Sequence, residues 1–409
     1  MAMPRHPNGS ETDRPAAELS AAVAPSLLRE MNQRLLLDLL FTGGPATRPD
    51  LARATGLSQP TVIAALDDLE RAGLALSSGS PAKPLGRPAK VYEADARAGS
   101  VAGIDIGRDW LHLSVTDLAG STLADLDVRN SAKTAAALVE LAAHSLAELT
   151  DKAGLRSEEV THTVIGSPGV LDPRRGSVRY AANLPGWHRA GLAHALTEKL
   201  GPSLSIDNDA NLAALAELNY GAARGVRDFV YVTVGTGVGI GLVLDGRVYR
   251  GFTGAAGEIG YLPLGNDDAG PRGSLPARGM LEEAVAADAI VRNAKASGMG
   301  GSLTAKTVFA AARSGDQRAL AAVAVEGSRL AQLIASIAAF LDPELIVMGG
   351  GVGQNLDLLK PEITASLATL TPMRPTLISG QLGRDAVVRG AIARGVVLAR
   401  EAVFKARLA

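Results

Sequence analysis

The chain has 409 residues, of which 20% are charged and 3% aromatic, with a formal charge of −1 and no cysteine; this exceeds one ordinary domain of roughly 100 to 200 residues, so two or three units are expected. Without cysteine there is no disulfide framework, thiol nucleophile or Cys-built zinc site, and so few rings leave no stacking platform for single-stranded nucleic acid. The longest uncharged run, Phe229 to Leu244, has 16 residues, short of the roughly 18 to 20 that span a bilayer, and the N-terminus lacks a signal-like apolar stretch, so no membrane segment and a cytoplasmic location are expected.

Residues 1–26 have no helical or strand period and read as a mobile tail. From Leu27 the spacing of Leu28, Met31, Leu35, Leu36 and Leu39 predicts a helix that stops at Gly43-Gly44-Pro45. A short second helix begins at Arg48-Pro49-Asp50 and ends at Gly56, and Ser58 caps a third, Gln59 to Arg71, with Pro60 in its first turn. A two-stranded wing follows between Leu74 and Tyr92, so residues 27–93 form one domain. A second unit starts near residue 99 with strand, Gly turn at Gly107, strand, turn at Ala119-Gly120 and strand, then a helix from about Ala132 to Thr150. Strands at Thr161–Gly166 and Ser203–Ile206 lead to a helix opening at Asp207-Asn208-Asp209-Ala210-Asn211. The strand, turn, strand, turn, strand pattern then restarts at Phe229. Two such copies predict a duplicated α/β architecture with a cleft between lobes, the first at 99–206 and the second at 207–385, and a C-terminal helix at about 386–406 returning to the first.

Residues 51–74 have the layout of a helix-turn-helix that reads double-stranded DNA. Leu51, Ala54, Leu57, Val62, Leu66 and Leu69 are its expected core. Gln59 and Thr61 stand on the exposed first turn of the third helix, where Gln can bond an adenine edge and Thr can meet a thymine methyl. Residues 1–93 carry ten basic and ten acidic side chains, so the cations that matter are local: Arg48 and Arg53 on the second helix, ahead of Ser58 and Pro60 at the start of the third, and Lys83, Arg87 and Lys90 in the wing. Arg87, in an extended Gly-Arg-Pro, suits a narrow minor groove, and Asp67, Asp68 and Glu70 are expected to face away from phosphates. The Gly-rich run at 235–241 is followed by a strand and not a helix, so a dinucleotide fold is excluded, and the absence of Gly-Lys removes a P-loop. Paired with the turn at Asp105-Ile106-Gly107, it points to an actin-like, ribonuclease H-like fold of the sugar kinase type.

Gly103-Ile104-Asp105-Ile106-Gly107, Gly166-Ser167-Pro168-Gly169, Asn183-Leu184-Pro185-Gly186-Trp187, Asp207-Asn208-Asp209-Ala210-Asn211, Gly235-Thr236-Gly237-Val238-Gly239, Gly257-Glu258-Ile259-Gly260 and Leu281-Glu282 resemble, in order, the motifs of the ROK family of repressors and sugar kinases. The resemblance covers Leu27 to about Arg400 and implies a sugar pocket between two lobes, met by Asn183, Asn208, Asp209, Glu258, Tyr261 and Glu282. In the kinases the residue matching Asp209 is the general base; as a plain reading of the sequence, Asp209 could instead cap the helix it opens.

Two departures shape the expectation. Kinases of the family continue the first turn with a Gly and a hydroxyl residue, whereas this chain has Arg108-Asp109-Trp110, bulky and acidic where phosphate must approach. Family members hold zinc with a His and three Cys, whereas Tyr261, Gly273, Leu275 and Met280 stand at those positions here, so no metal and no cofactor are expected. The chain therefore reads as a non-enzymatic repressor of sugar uptake or catabolism genes that binds a DNA operator and a sugar or sugar phosphate, as a homodimer or homotetramer. The alternatives are an active ATP-dependent sugar kinase with an appended DNA-binding domain, and a regulator whose second unit serves assembly only.

Overall fold

The computed structural model describes residues 25–79, 90–172, 174–181, 184–264 and 278–408, in two units, one ending at Asp95 and the other running from Ala96 to Arg407. In the first, α1 (Pro25–Gly43) precedes a two-residue strand, β1 (Ala46–Thr47). Thr47 starts α2 (Arg48–Thr55) with a capping box to Asp50, and Gly56, at φ 72°, turns the chain away. The Ser58 hydroxyl accepts the Thr61 N–H to start α3 (Gln59–Arg71). The strands β2 (Ala75–Gly79) and β3 (Lys90–Ala94) form the base of the wing, and β1 pairs with β3 to give a three-stranded sheet ordered β1-β3-β2. The first strand went unpredicted because two residues carry no readable alternation. The expected wing tip, with Lys83 and Arg87, lies outside the described residues.

The face that α1 buries is only part of its apolar stripe, and the core expected of the helix-turn-helix is corrected at two residues. Leu28, Met31 and Leu35 are 42 to 54% exposed, and α1 instead buries Gln33, Leu36, Leu37 and Leu40. Ala54 is exposed and Leu57 half-buried, while Leu51, Val62, Leu66 and Leu69 are buried as expected. The rotation of α1 follows from one acid. Asp68 of α3 is buried and accepts from Arg29 twice at 2.7 Å, from Gln33 at 2.7 Å and from Arg71 at 3.0 Å. Burial alone would raise its pKa, but these hydrogen bonds outweigh burial and hold it below the usual carboxylate range.

The second unit contains the same sheet plan twice. After β4 (Ser100–Ile106), β5 (Trp110–Asp117) and β6 (Thr122–Arg129), α4 (Ala135–Lys152) is capped by Thr134, three residues later than expected. Then come β7 (His162–Ser167), a small hairpin of β8 (Val170–Asp172) and β9 (Ser177–Arg179), α5 (Leu192–Leu200), β10 (Leu204–Asn208) and α6 (Asp209–Tyr220). The first sheet runs β10-β7-β4-β5-β6, antiparallel through the two hairpins and parallel across β4, β7 and β10. The second lobe repeats this with β11 (Phe229–Val234), β12 (Val238–Leu244) and β13 (Arg247–Tyr249). It continues through α7 (Met280–Val285), α8 (Ala287–Ala296), α9 (Ala305–Arg313), α10 (Gln317–Leu341), β14 (Leu345–Gly349), α11 (Gly350–Gly353), α12 (Leu356–Leu370) and β15 (Thr376–Ser379). Its order is β13-β12-β11-β14-β15.

In the first lobe Ile104, Leu111, Leu113 and Val115 pack on α4 and around Trp187. The indole of Trp187 is fully buried and donates to Ser167 Oγ at 2.8 Å, so two of the sequence motifs meet in this core. In the second lobe α10 lies in the core through Leu330, Leu333, Ile334 and Ile337. By length and composition α10 could cross a membrane, but Glu326 and Arg329 interrupt its uncharged run and half of its apolar window is buried in this core. The last helix, α13 (Ala386–Leu408), packs on the first lobe: a Cβ on Gly395 would lie 2.4 Å from Val101, and Arg400 and Arg407 donate to the carbonyls of Leu118 and Ala98.

The buried acid gives a stability prediction. Asp68→Ala leaves the Gln33 amide buried without its acceptor, so the first unit should lose roughly 1 to 3 kcal/mol, read in its denaturant midpoint. Because the pKa of Asp68 is depressed, the contribution is complete above the carboxylate range and fades as pH falls through the folded-state pKa. A variant as stable as wild type at pH 7 would show that the cluster does not hold α1.

Candidate functional site

At the start of α3 the hydroxyls of Ser58 and Thr61 lie 2.8 Å apart, each occupied by the other, while Gln59 and Pro60 are exposed. Gln59 has no hydrogen-bond partner among the described residues, so its amide is free to read an edge. Arg48 and Lys90 are less free. Arg48 reaches Asp67 at 3.5 Å, Lys90 reaches both oxygens of Glu70 at 2.9 and 3.0 Å, and both cations lie over the ring of Tyr92, at 5.2 and 4.9 Å. The acids expected to avoid phosphate thus hold two of the expected phosphate ligands, which sequence order alone does not reveal. Arg87 lies outside the described residues.

In the second unit the cleft is built where β10 meets α6. Asn208 is the cap of α6: its Oδ1 accepts the Asn211 N–H at 3.1 Å and its Nδ2 donates to the Gly169 carbonyl at 3.2 Å. The capping role weighed for Asp209 therefore belongs to its neighbour. The Asp209 carboxylate accepts the Ala210 N–H at 2.8 Å. From the second lobe, Gly257 delivers Glu258; its φ is 98° and a Cβ there would come 2.2 Å from the Ile240 carbonyl, so only glycine allows the approach. Glu282, in the first turn of α7, accepts from Arg278 Nε at 2.7 Å. Arg278 also donates to the Thr236 carbonyl of the Gly-Thr-Gly turn and to Asp288. Asn183 lies outside the described residues.

Electrostatics show that these groups are neighbours. Burial first, then the charges of Asp209 and Glu282, push Glu258 up to about 7. Burial and Asp209 push Asp105 up to about 8. Asp209 is itself raised by burial above all, against the Ala210 hydrogen bond, with Glu282 adding to the rise. Sequence reasoning takes Asp105 only as part of a turn motif, with no site role, although its place at the end of β4 beside a Gly turn is the available signal. Asp207, also missed, is buried and bonded by Arg250 at 2.7 Å and by Arg394 of α13. It joins β10 to a residue just beyond β13, and so one lobe to the other.

Tyr261 packs edge-on against Tyr180, ring centroids 5.5 Å apart, and burial followed by Glu258 and Glu282 raises its phenol pKa. With this phenol and the Met280 thioether as the described groups at the family's zinc positions, and no cysteine in the chain, the donor set does not fit zinc. Gly273 and Leu275 lie outside the described residues. At the first turn Arg108, Asp109 and Trp110 are exposed, and the loop is closed by Gly107 N–H to the Trp110 carbonyl and by Asn130, which donates to the carbonyls of Asp109 and Gly107, each bond 2.9 Å.

The raised carboxyl pKa values carry a sign. Between the ordinary 4.5 and about 7 the folded state holds the Glu258 proton and the unfolded state does not, so stability falls as pH rises through that window. Glu258→Gln should make the decline of melting temperature from about pH 5 to 7 shallower than in wild type. Parallel curves for the two proteins would contradict the shared-cleft electrostatics.

Comparison with known proteins agrees with this geometry. The ROK family profile matches residues 101–395, and a winged helix-turn-helix DNA-binding profile matches residues 32–74. A xylose repressor of Bacillus subtilis is 24% identical over 377 residues, 89% of this chain and 94% of its own length. A glucokinase of Halalkalibacterium halodurans is 33% identical over 281 residues, 63% of this chain and 82% of its own. The crystal structure of a ROK family transcriptional regulator, a homolog of the E. coli MLC protein, superposes with a TM-score of 0.74 over 93% of this chain and 98% of that one, at 23% identity, and supports the fold. An actin-like domain of the sugar kinase type behind a winged helix-turn-helix, matched by profile along most of its length, makes the chain a member of the ROK family.

Proposed function

We propose that the chain is a DNA-binding transcriptional repressor of sugar uptake or catabolism genes, with a sugar-kinase-like domain that senses an effector and assembles the protein. The carrying observation is a winged helix-turn-helix with a free Gln59 ahead of the ROK domain, in a chain that matches a xylose repressor over 89% of its length. Gln59 and Thr61 read base edges; Ser58 and Pro60 set the turn that presents them. Arg48, Arg87 and Lys90 meet backbone or minor groove. The Arg48 and Lys90 ion pairs are partly exposed, and such pairs are worth about 0 to 1 kcal/mol, so phosphates can replace the carboxylates. Asn183, Asn208, Asp209, Glu258, Tyr261 and Glu282 take the hydroxyls of a sugar or sugar phosphate. A homodimer or homotetramer on a two-fold symmetric operator is the assembly this module calls for.

Footprinting on the chromosome of origin tests the reading. A palindromic protected site is expected. Gln59→Ala with Thr61→Ala should flatten base discrimination by roughly 1 to 3 kcal/mol per contact, while Arg87→Ala weakens binding to all half-sites alike. No protected site anywhere would end the repressor reading.

The 33% identity to a glucokinase favours a second reading, an ATP-dependent sugar kinase. Against it stands the first turn, where Arg108-Asp109-Trp110 sets an acid and two bulky side chains at the place phosphate must occupy, and phosphoryl transfer depends on alignment and charge neutralisation. A coupled assay with ATP, magnesium and hexoses should show no turnover above background. Robust phosphorylation lost in Asp209→Asn would reverse the preference.

A further inference from the structure

Away from the carboxylate cleft, a cavity of about 490 Å³ opens in the second unit between the outer face of β5 and β6, the end of α6 and the first turns of α13. Its size is within the roughly 300 to 1,000 Å³ of ordinary small-molecule sites. Thr116 on β5 lines it. This side chain is 1% exposed, its Oγ1 has no hydrogen-bond partner, and it stands where the pairing of β5 with β6 slips by one residue. Leaving a buried hydroxyl unpaired costs roughly 1 to 3 kcal/mol, and native structures rarely do so without an occupant to satisfy it.

The remaining lining says what that occupant is. At one end Asp127 bonds to His112 at 2.7 Å and to Arg384 at 3.1 Å, and Arg384 also reaches Asp385, another lining residue, at 3.5 Å. Asp125 and Arg389 also line the cavity, and among the described residues neither is in an ion pair. Three acids, Asp125, Asp127 and Asp385, against two arginines, Arg384 and Arg389, leave no positive surplus to select a phosphate. A carboxylate that only accepts, a guanidinium that only donates and a hydroxyl that does both match a molecule bearing several hydroxyls. Val388 and Ile392 supply an apolar wall for its C–H face.

We propose that this cavity is a second ligand site, for a small uncharged polyhydroxylated molecule. Its walls are not passive: α6 begins with Asp209 of the cleft, and α13 carries Arg394, which holds Asp207. The two helices touch where a Cβ on Gly390 would fall 1.8 Å from the Leu212 carbonyl. An occupant that binds better to one arrangement of these helices biases the cleft to the same extent.

The test uses the full chain carrying Asp209→Ala and Glu258→Ala, so that the cleft is disabled whether or not it binds sugar in wild type. Calorimetry and ligand-observed NMR with D-xylose and D-glucose at millimolar concentration should show one neutral sugar bound per chain, with glucose 6-phosphate binding no tighter. Adding Thr116→Val should weaken binding about tenfold, the loss of one hydrogen bond. Arg389→Ala, an exposed helix position that leaves the core intact, should weaken it similarly with an unchanged melting curve. Absence of binding by either sugar in the cleft-disabled protein overturns the proposal, as does binding that neither Thr116→Val nor Arg389→Ala alters. A wild-type titration run alongside reports the cleft separately, so failure of the cleft reading is distinguishable from failure of this one.

Discussion

Four carboxyl groups, Asp105, Asp209, Glu258 and Glu282, have to share one cleft, and the fold around them is organised to tolerate it. Only one cation among the described residues answers directly: Arg278 pairs with Glu282 and, through the Thr236 carbonyl, fixes the Gly-Thr-Gly turn beside it. The others are accommodated by holding protons. With Glu258 near 7 and Asp105 near 8, much of the carboxyl population at neutral pH is uncharged, and a neutral carboxyl can donate as well as accept. A fifth acid, Asp207, lies one residue before Asn208 and would add to the repulsion if it were not neutralised by Arg250 and Arg394. Since those arginines come from the second lobe and from α13, the same pairing that removes a charge also ties the lobes together.

How much of this was legible depended on whether the signal was local. The cap at Ser58, the turn at Gly56 and the repeated hairpin pattern are set by neighbours in sequence, and they placed α3, β4 to β6 and β11 to β13 to within a few residues, whereas the cap of α4 at Thr134 went unread. Asn208, Asp209, Glu258 and Glu282 could be named from the sequence because each sits in a short motif, and Tyr261 because it follows one. What escaped were pairings across the fold. Nothing near Asp207 announces arginines 43 and 187 positions away. Leu28, Met31 and Leu35 have a faultless helical period yet face outward, since Asp68, far along the chain, chooses the buried face. Glu326 of α10 is fully buried with both carboxyl oxygens unbonded among the described residues, and burial pushes its pKa well above the carboxylate range.

In the first unit the same logic gives a wing base with a defined angle. Tyr92 is fully buried between Arg48 and Lys90, and each cation is also held by an acid of α3. Cation–π contacts of this kind are worth about 0.5 to 1 kcal/mol at exposed sites, and the exposed ion pairs no more. Together they orient β3 against α3 without committing either cation irreversibly. A phosphate approaching Arg48 or Lys90 competes with Asp67 or Glu70 while the stacking on Tyr92 persists, so the wing can keep its orientation as its charge partners change.

The donor and acceptor inventory at the cleft limits how any hydroxylated ligand could act on the lobes. Asn208 spends its carbonyl on the α6 cap and one N–H on Gly169, which leaves one N–H to donate. Asp209 gives one oxygen to the Ala210 N–H, which leaves the other to accept. A hydroxyl that receives from Asn208 and donates to Asp209 is thereby satisfied without breaking the cap, whereas one that took the Asn208 carbonyl would forfeit about 1 kcal/mol of helix capping. Both groups are fixed to the backbone where β10 becomes α6, so contacts to them alone hold a ligand without moving anything. Glu258 and Glu282 come from other segments of the second lobe, on whose strands β11 and β12 the helix α6 also packs through Ala213 and Ala214, so only a ligand that reaches the first lobe as well distinguishes one lobe spacing from another. The shift it can cause is no larger than that difference in binding.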